Sequence, residues 1–416
     1  MGFSPRENVT VQDTWAKAHA TSGNPDWPGW RGANRDGVLK WLPGSLPKEV
    51  APLWTVKLPS SGHGGVAVAE GVCVVGSRDL ADEEDLFEGF DAETGERLWR
   101  HAYPAPGTLD YGNSPRATPL VHESVVYLQG AFGHLTALDL ATGDLLWERD
   151  LAADYDTPPL EWGIAGTPLL AEGVLVVQPG GRKACLVGLD PATGEERWKS
   201  PGGKPSHSSF VHGQRGGRHL AIGFDANNLG AWDLLTGQPL WSITPEFTGD
   251  FHVPTPVMLG NQLFVATENN GARLYQFSNT APAPVTSETA HHADFSPDAH
   301  TPVAIGNRLY GVHHGLHCFE AAPGPTLKSV WKHPDRRLHE YAFLAAAGKR
   351  LLVLTHACEL ILWEDSGESA RELGSLDLKT DSTETLSAPA FVGTRCYVRM
   401  GKELVCLELG EAGLGD

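Results

Sequence analysis

The sequence predicts an all-β fold, an eight-bladed β-propeller whose ring is closed by an amino-terminal strand. The main observation is a phrase, D-x-x-T-G-x-x-x-W, that recurs four times and ends at Trp99, Trp147, Trp198 and Trp241. These tryptophans are 48, 51 and 43 residues apart, a period typical of repeats that bury their apolar faces only by stacking on neighbours. Because each repeat consists of short strands, the closed arrangement it favours is a propeller.

The sequence pattern of each repeat predicts four strands. The first opens at a Thr-Pro pair, as at Thr118 and Thr167, and two further apolar runs follow before the repeated phrase. In the phrase, Asp139 can accept hydrogen bonds from the backbone amides that follow it in the chain, and Gly143 can supply a positive φ. The tryptophan then opens the fourth strand, and we expect its large apolar surface to pack between adjacent blades.

Weaker copies of the repeat continue towards the carboxyl end. They open at Thr255, at Thr301, near Phe343 and at Ala388, and the last copy has only three strands. The missing strand is predicted at Leu53–Leu58, which has the pattern of a fourth strand but no blade ahead of it. Donating it to the last blade leaves no open sheet edge.

This count gives a propeller over residues 51–410, an amino-terminal arm over 1–50 and a short tail over 411–416. A seven-bladed ring is the alternative, and it would require the two weak copies between residues 250 and 330 to merge. The arm contains an aromatic and turn-rich segment at residues 26–32, which we expect to pack over the propeller.

Composition limits the partners. The formal net charge of −19 repels phosphate backbones and argues against nucleic acid. No apolar run is long enough to span a membrane, and the first twenty residues lack the apolar segment of a secretory signal. The six cysteines are scattered singly, which predicts buried thiols. These observations favour a cytoplasmic protein, or a periplasmic one if a signal peptide has been removed.

The LDxxTGxxLW repeats, the opening WPGWRGANRDGV at 27–38 and the unpaired strand Leu53–Leu58 resemble the PQQ-like β-propeller repeat family. That family includes quinoprotein alcohol dehydrogenases and the assembly lipoprotein BamB, and the fold does not choose between these roles. The dehydrogenases carry adjacent cysteines over the quinone and often a C-x-x-C-H haem site. This chain has neither, so PQQ is not expected as its cofactor.

In a propeller, the segments that lead into the first strands converge on one face of the axis. Five of the eight lead-in segments contain a histidine, and these are His63, His207, His252, His300 and His339. Neutral imidazole is a common ligand of transition metals, so these five are the candidate metal ligands. Copper or iron is favoured, and zinc or manganese is the alternative.

Other polar and aromatic residues of the lead-in segments complete the predicted site. Glu340, Tyr341 and Arg116 are candidate catalytic residues, which could move protons or bind an anionic group of the substrate. Trp162 and Glu384 are candidate cofactor-binding residues. The prediction is a metal-dependent oxidoreductase acting on a small or peptide-like substrate in the axial funnel.

Several alternatives stay open. The histidines could line a metal-free ligand pocket, or lie at these positions by chance, because their register relative to the strand openings is not uniform and side chains alternate faces along a strand. A metal-assisted lyase and a non-catalytic scaffold for a protein partner are the other functional alternatives.

Overall fold

The computed structural model describes residues 26–277, 281–283, 290–322, 326–338, 341–379 and 384–410. Within these residues, thirty-two strands form eight antiparallel sheets of four strands each, arranged as the blades of a propeller. The predicted fold class and the count of eight blades are therefore confirmed, and the seven-bladed alternative is wrong. No helix in these segments is long and apolar enough to cross a membrane.

Blades 1 to 4 follow one another along the chain, each from the axis outwards. Blade 1 comprises β2 Ala67–Ala69, β3 Val72–Arg78, β4 Glu84–Asp91 and β5 Arg97–Pro104; blade 2 comprises β6 Leu120–His122, β7 Val125–Gln129, β8 His134–Asp139 and β9 Leu145–Asp150. Blade 3 comprises β10 Leu169–Ala171, β11 Val174–Val177, β12 Leu186–Leu189 and β13 Glu196–Ser200; blade 4 comprises β14 Val211–Arg215, β15 Arg218–Phe224, β16 Leu229–Asp233 and β17 Pro239–Ile243.

Blades 5 to 7 repeat this order, and blade 8 takes its fourth strand from the amino-terminal side. Blade 5 comprises β18 Val257–Leu259, β19 Gln262–Thr267, β20 Gly271–Gln276 and β21 Ala290–His292; blade 6 comprises β22 Val303–Ile305, β23 Arg308–Val312, β24 Leu316–Ala322 and β25 Thr326–His333. Blade 7 comprises β26 Ala342–Ala347, β27 Arg350–Thr355, β28 Glu359–Asp365 and β29 Ala370–Asp377; blade 8 comprises β30 Ala390–Val392, β31 Arg395–Met400, β32 Glu403–Glu408 and β1 Trp54–Lys57. A short helix α1, Leu151–Asp154, and a 3-10 turn, Arg336–Leu338, lie between blades.

The ring closes through β1, as the sequence predicts. It pairs antiparallel with β32, with Trp54 opposite Cys406. A buried arginine strengthens the junction, since Arg399 of blade 8 donates to the backbone carbonyls of Gly76 in blade 1 and of Ser60 just ahead of it. Closure therefore combines a strand pairing with side-chain hydrogen bonds between the first and last blades.

Adjacent blades are joined by the tryptophan and the turn of the repeated phrase. Trp99 donates from its Nε1 to the carbonyl of Leu140 at 2.7 Å in the next blade. Its ring lies so close to the turn of that blade that a Cβ on Gly143 would be 2.7 Å from the tryptophan side chain. Asp139 accepts from the amide of Thr142 at 2.9 Å and holds the turn, and Gly143 has a φ of +74°. The predicted roles of these residues are observed.

The amino-terminal arm enters the axis from the face where the first strands end. The amide of Trp27 donates to the carbonyl of Val68 at 2.8 Å, and the amide of Leu39 donates to Ala346 at 2.7 Å. Between these anchors, Arg31 donates to the carbonyl of Pro302 at 2.7 Å and Arg35 to that of Pro168 at 2.8 Å. The arm thus crosses the channel and closes it at one end. Residues 1–25 and 411–416 lie outside the described part of the chain.

We expect the substitution Trp99→Ala to lower the free energy of unfolding by about 3–5 kcal/mol, because it leaves a cavity under the neighbouring turn and removes the hydrogen bond to Leu140. The matched control is Leu98→Ala, on the same strand but 37% exposed, which should change stability by less than about 0.5 kcal/mol. Urea unfolding of both variants tests this. Similar losses in the two would show that the tryptophan does not dock the blades.

Candidate functional site

A cavity of about 470 Å³ lies on the axis, and lead-in segments from all eight blades contribute to its wall. The arm forms its floor, since Trp30 and Arg31 line the cavity. Trp30 is itself held by two cations, with the Arg31 and Arg35 guanidiniums 5.3 and 5.6 Å from its ring centroid, distances at which cation–π attraction is effective. The cavity is therefore a pocket closed at the arm end.

A row of hydroxyl groups runs along the pocket wall from blade 3 to blade 6. The hydroxyls of Thr167, Ser209, Thr255 and Thr301 each accept a hydrogen bond, of 2.9–3.2 Å, from the backbone amide of the corresponding residue in the preceding blade. Each of these residues lies two positions before the first strand of its blade, so each bond ties one blade to the next at the axis. The recurrence of Thr-Pro in the sequence marked three of the four hydroxyls, but sequence reasoning assigned these residues only to strand openings.

His300 lines the pocket and carries a buried acceptor. It is 3% exposed, and its Nδ1 lies 3.1 Å from the carbonyl oxygen of Ala342. A carbonyl only accepts, so Nδ1 must carry the proton and Nε2 must carry a lone pair. Within the described residues, that Nε2 is buried without a hydrogen-bond partner. Burial, with Arg31 nearby, lowers the pKa of His300 to about 3 despite its hydrogen bond to Ala342, so the imidazole is neutral at pH 7.

His63 and His207 line the same pocket from blades 1 and 4. Burial, reinforced by the Arg116 guanidinium, lowers the pKa of each to about 4. Both are half-buried, and both are neutral at pH 7. His207 packs against an aromatic pair, with its ring centroid 5.6 Å from Trp162 and 6.4 Å from Phe251.

His252 points away from the pocket. Its Nδ1 lies 3.1 Å from the carbonyl of Asp225, and its ring stacks on Phe224 with centroids 4.3 Å apart. Its neighbour Phe251 lines the pocket instead, because successive side chains of an extended segment face opposite sides. His252, a predicted metal ligand, is therefore outside the pocket lining, and Phe251 is a site residue that sequence reasoning missed.

Among the axial histidines that the structure describes, no three have ligand atoms within 4.8 Å of one another. Among the residues described by the structure, the three side chains whose ligand atoms all lie within 4.8 Å of one another are Glu172, His212 and His219, and none of them is axial. His63, His207 and His300 come from blades 1, 4 and 6, spread around the ring. The predicted ligand set therefore stays a prediction, and two residues of the predicted site, His339 and Glu340, lie outside the described residues.

The remaining predicted residues divide between the wall and the rim. Arg116, Trp162 and Tyr341 line the pocket. The Arg116 guanidinium donates to the carbonyl of Trp162 at 2.6 Å and is held in place by it. Glu384 is exposed at 73% of its side chain and lies 3.9 Å from His356, outside the pocket lining. Trp30, which forms the floor, was missed because the arm carries no repeat that would place it.

The fold and the site define an eight-bladed propeller with a blind axial pocket. The chain matches the family model described as "Outer membrane protein assembly factor BamB" over residues 48–177 and 157–332, which together exceed half of its length. The chain therefore belongs to this family of PQQ-like propellers, as its repeats indicate.

Relatives of two kinds are similar to the chain. An outer membrane protein assembly factor BamB from Nitrosomonas eutropha is 28% identical over 200 residues, which are 47% of this chain and 42% of that protein. A 1-butanol dehydrogenase (cytochrome c) from Thauera butanivorans is 29% identical over 170 residues, which are 38% of this chain and 23% of that protein. The chain thus matches less than half the length of either relative.

Solved structures of both kinds share the fold. BamB from Moraxella catarrhalis superposes with a TM-score of 0.57 at 15% identity, covering 86% of this chain and 99% of that one. Quinohemoprotein alcohol dehydrogenase from Comamonas testosteroni superposes with a TM-score of 0.62 at 15% identity, covering 98% and 84%. At this identity the likeness shows the fold alone.

The charged groups of the pocket lining can be compared with those that a tricarboxylate quinone such as PQQ would use. Its carboxylates would form their strongest hydrogen bonds with arginine guanidiniums. The two arginines of the lining, Arg31 and Arg116, donate to backbone carbonyls, and Glu268 and Asp298 add negative charge to the same wall. The cysteines are six single, buried thiols, and none of them lines the pocket.

The low pKa of His300 gives a test of its environment. Unfolding restores its pKa from about 3 towards the ordinary value of 6.5. Between these two pH values the unfolded chain binds more protons than the folded chain, so the free energy of unfolding decreases as the pH is lowered. We expect His300→Asn to lessen the loss of stability between about pH 7.5 and about pH 5 by on the order of 1–2 kcal/mol. The exposed His122 supplies the control, since His122→Asn should leave the loss unchanged. Urea unfolding at both pH values measures it, and an unchanged loss in His300→Asn would contradict the buried neutral state.

Proposed function

We propose that this protein binds a small uncharged alcohol or polyol with an apolar or ring face in its axial pocket. The observation that carries the proposal is the Nε2 of His300, a buried acceptor without a partner among the described residues. A buried acceptor left unpaired costs free energy, and a ligand hydroxyl removes that cost. Two further neutral imidazoles of the pocket lining, His63 and His207, supply acceptors or donors according to tautomer.

The aromatic wall supports the same ligand class. Trp30 lies at the floor, and Trp162 and Phe251 lie against each other at the side with centroids 5.0 Å apart. Aromatic faces pack against the C–H surface of a ring or short alkyl chain. Because Arg31 and Arg116 are already bonded to carbonyls and the wall carries Glu268 and Asp298, an anion is less well matched than a neutral molecule.

The test is a titration followed by tryptophan fluorescence, with benzyl alcohol, cyclohexanol and myo-inositol as probes. A donor to His300 is essential to the proposal, so benzyl methyl ether, which lacks the hydroxyl proton, should bind at least about tenfold more weakly than benzyl alcohol. Equal binding of the ether and the alcohol, or no binding of any probe, would overturn it.

A matched pair of variants locates the ligand. Phe251→Ala removes an aromatic wall residue and should weaken binding by about tenfold. Phe247→Ala removes an aromatic side chain from the same lead-in segment, 50% exposed and outside the pocket lining, and should leave binding unchanged. Equal effects of the two substitutions would place the ligand elsewhere.

Metal-dependent oxidation of such an alcohol, the reaction predicted from the sequence, stays a proposal for this pocket. The dehydrogenase relative supports it, as does the tautomer of His300, since metal-bound histidines commonly donate the other ring nitrogen to a carbonyl. Elemental analysis of protein purified without chelator tests it. One equivalent of copper or iron, lost in His300→Ala and in His63→Ala while the fold persists, would support it, and metal retained in both variants would contradict it.

A protein-interaction scaffold is the second candidate, supported by the BamB relatives and by side chains around the pocket mouth. Leu80 is 88% exposed and Tyr111 is 65% exposed on this face. A scaffold would bind none of the alcohol probes, so the titration separates the candidates. The names of these relatives concern outer-membrane protein assembly and lend no support to a cytoplasmic location. We therefore propose that the protein is located in the cell envelope, which corresponds to the periplasmic alternative.

A further inference from the structure

A cluster of two histidines and a glutamate lies on the face opposite the pocket mouth. Glu172 is in the turn between β10 and β11 of blade 3, while His212 is on β14 and His219 on β15 of blade 4. The cluster therefore bridges two blades. It is separate from the axial pocket, and no repeat of the sequence marks it.

The ligand atoms of the cluster are spaced as metal ligands would be. His212 Nε2 lies 3.1 Å from His219 Nδ1, and that nitrogen lies 3.2 Å from Glu172 Oε1. In a tetrahedral zinc site, bonds of about 2.0–2.1 Å place neighbouring ligand atoms about 3.3 Å apart. The two measured edges agree with this value within about 0.2 Å.

Hydrogen bonding alone does not account for both close contacts of the His219 Nδ1. A carboxylate oxygen and the Nε2 of His212 both approach the Nδ1 of His219, and one N–H can be directed at only one of them. The imidazole planes are nearly parallel, 7° apart with centroids at 5.3 Å. A cation among the three atoms would accept a lone pair from each of them.

We propose that Glu172, His212 and His219 form a binding site for one divalent transition-metal ion, with zinc as the probe that suits the donor set. Two imidazole nitrogens and one carboxylate oxygen match zinc, copper or nickel and do not match the all-oxygen preference of calcium or magnesium. Three protein ligands leave a fourth position for water. The ion links blade 3 to blade 4.

Isothermal titration of the full chain with zinc chloride is the direct test. We expect one site per chain in the His300→Ala background, where any axial metal site is disabled. We expect His219→Gln to weaken zinc binding at least about tenfold through loss of a ligand. The chain supplies a matched control on the same face, because His122 lies 3.8 Å from Glu123 in the equivalent turn of blade 2 without a second imidazole. The His122→Gln variant should bind zinc like its parent.

Thermal unfolding with and without zinc supplies a second readout. An ion that binds only the folded chain raises the melting temperature, and that shift should vanish in Glu172→Gln and persist in His122→Gln. Binding that survives His219→Gln, or that falls equally in the His122→Gln control, would overturn the site. So would calcium binding of equal strength. The metal-binding proposal does not depend on the alcohol titration, because none of the three metal ligands lines the pocket.

Discussion

Pairing of β1 with β32 is the constraint on which the rest of the structure depends. Each blade contacts only its neighbours, so an open row would leave two unpaired edges and no common axis. Joining Trp54 to Cys406, with Arg399 bonded across the junction, brings the eight first strands around one line. The pocket, whose wall takes residues from every blade, exists only because that ring is closed.

The arm then determines what kind of opening the axis becomes. Placing the Arg31 guanidinium in the channel costs desolvation, which lowers its pKa to about 9, and the carbonyls of Asp36, Thr301 and Pro302 offset part of that cost. In return the arm fixes Trp30 at the pocket floor. The same positive charge disfavours protonation of His300, so the closed end of the pocket both shapes the cavity and keeps its acceptor neutral.

Most of the fold could be predicted from the sequence because its determinants are local and repeated. The turn at Asp139 and Gly143 and the tryptophan that docks on it recur at a fixed period, and the lead-in segments follow from the strand order. The site depends on finer detail. One residue of register separates Phe251, which faces the pocket, from His252, which faces Phe224, and that register varies between blades. Trp30 reaches the axis through the arm, where no repeat indicates its position.

The two proposed sites lie at opposite ends of the same pair of strands. The segment from Thr167 at the pocket to Glu172 at the opposite face contains β10, and it would span about 17 Å if its five steps were fully extended. β14 runs beside it, with Ser209 just ahead at the pocket end and His212 along its length. At the pocket end, the amide of Thr167 already donates to the hydroxyl of Ser209 at 3.1 Å. Trp198 also joins these two blades by donating to the carbonyl of Leu234 at 3.0 Å. A metal ion at the face opposite the pocket would add a further link between them and limit their relative movement there. The metal site would therefore stabilise the pocket wall without contacting its ligand.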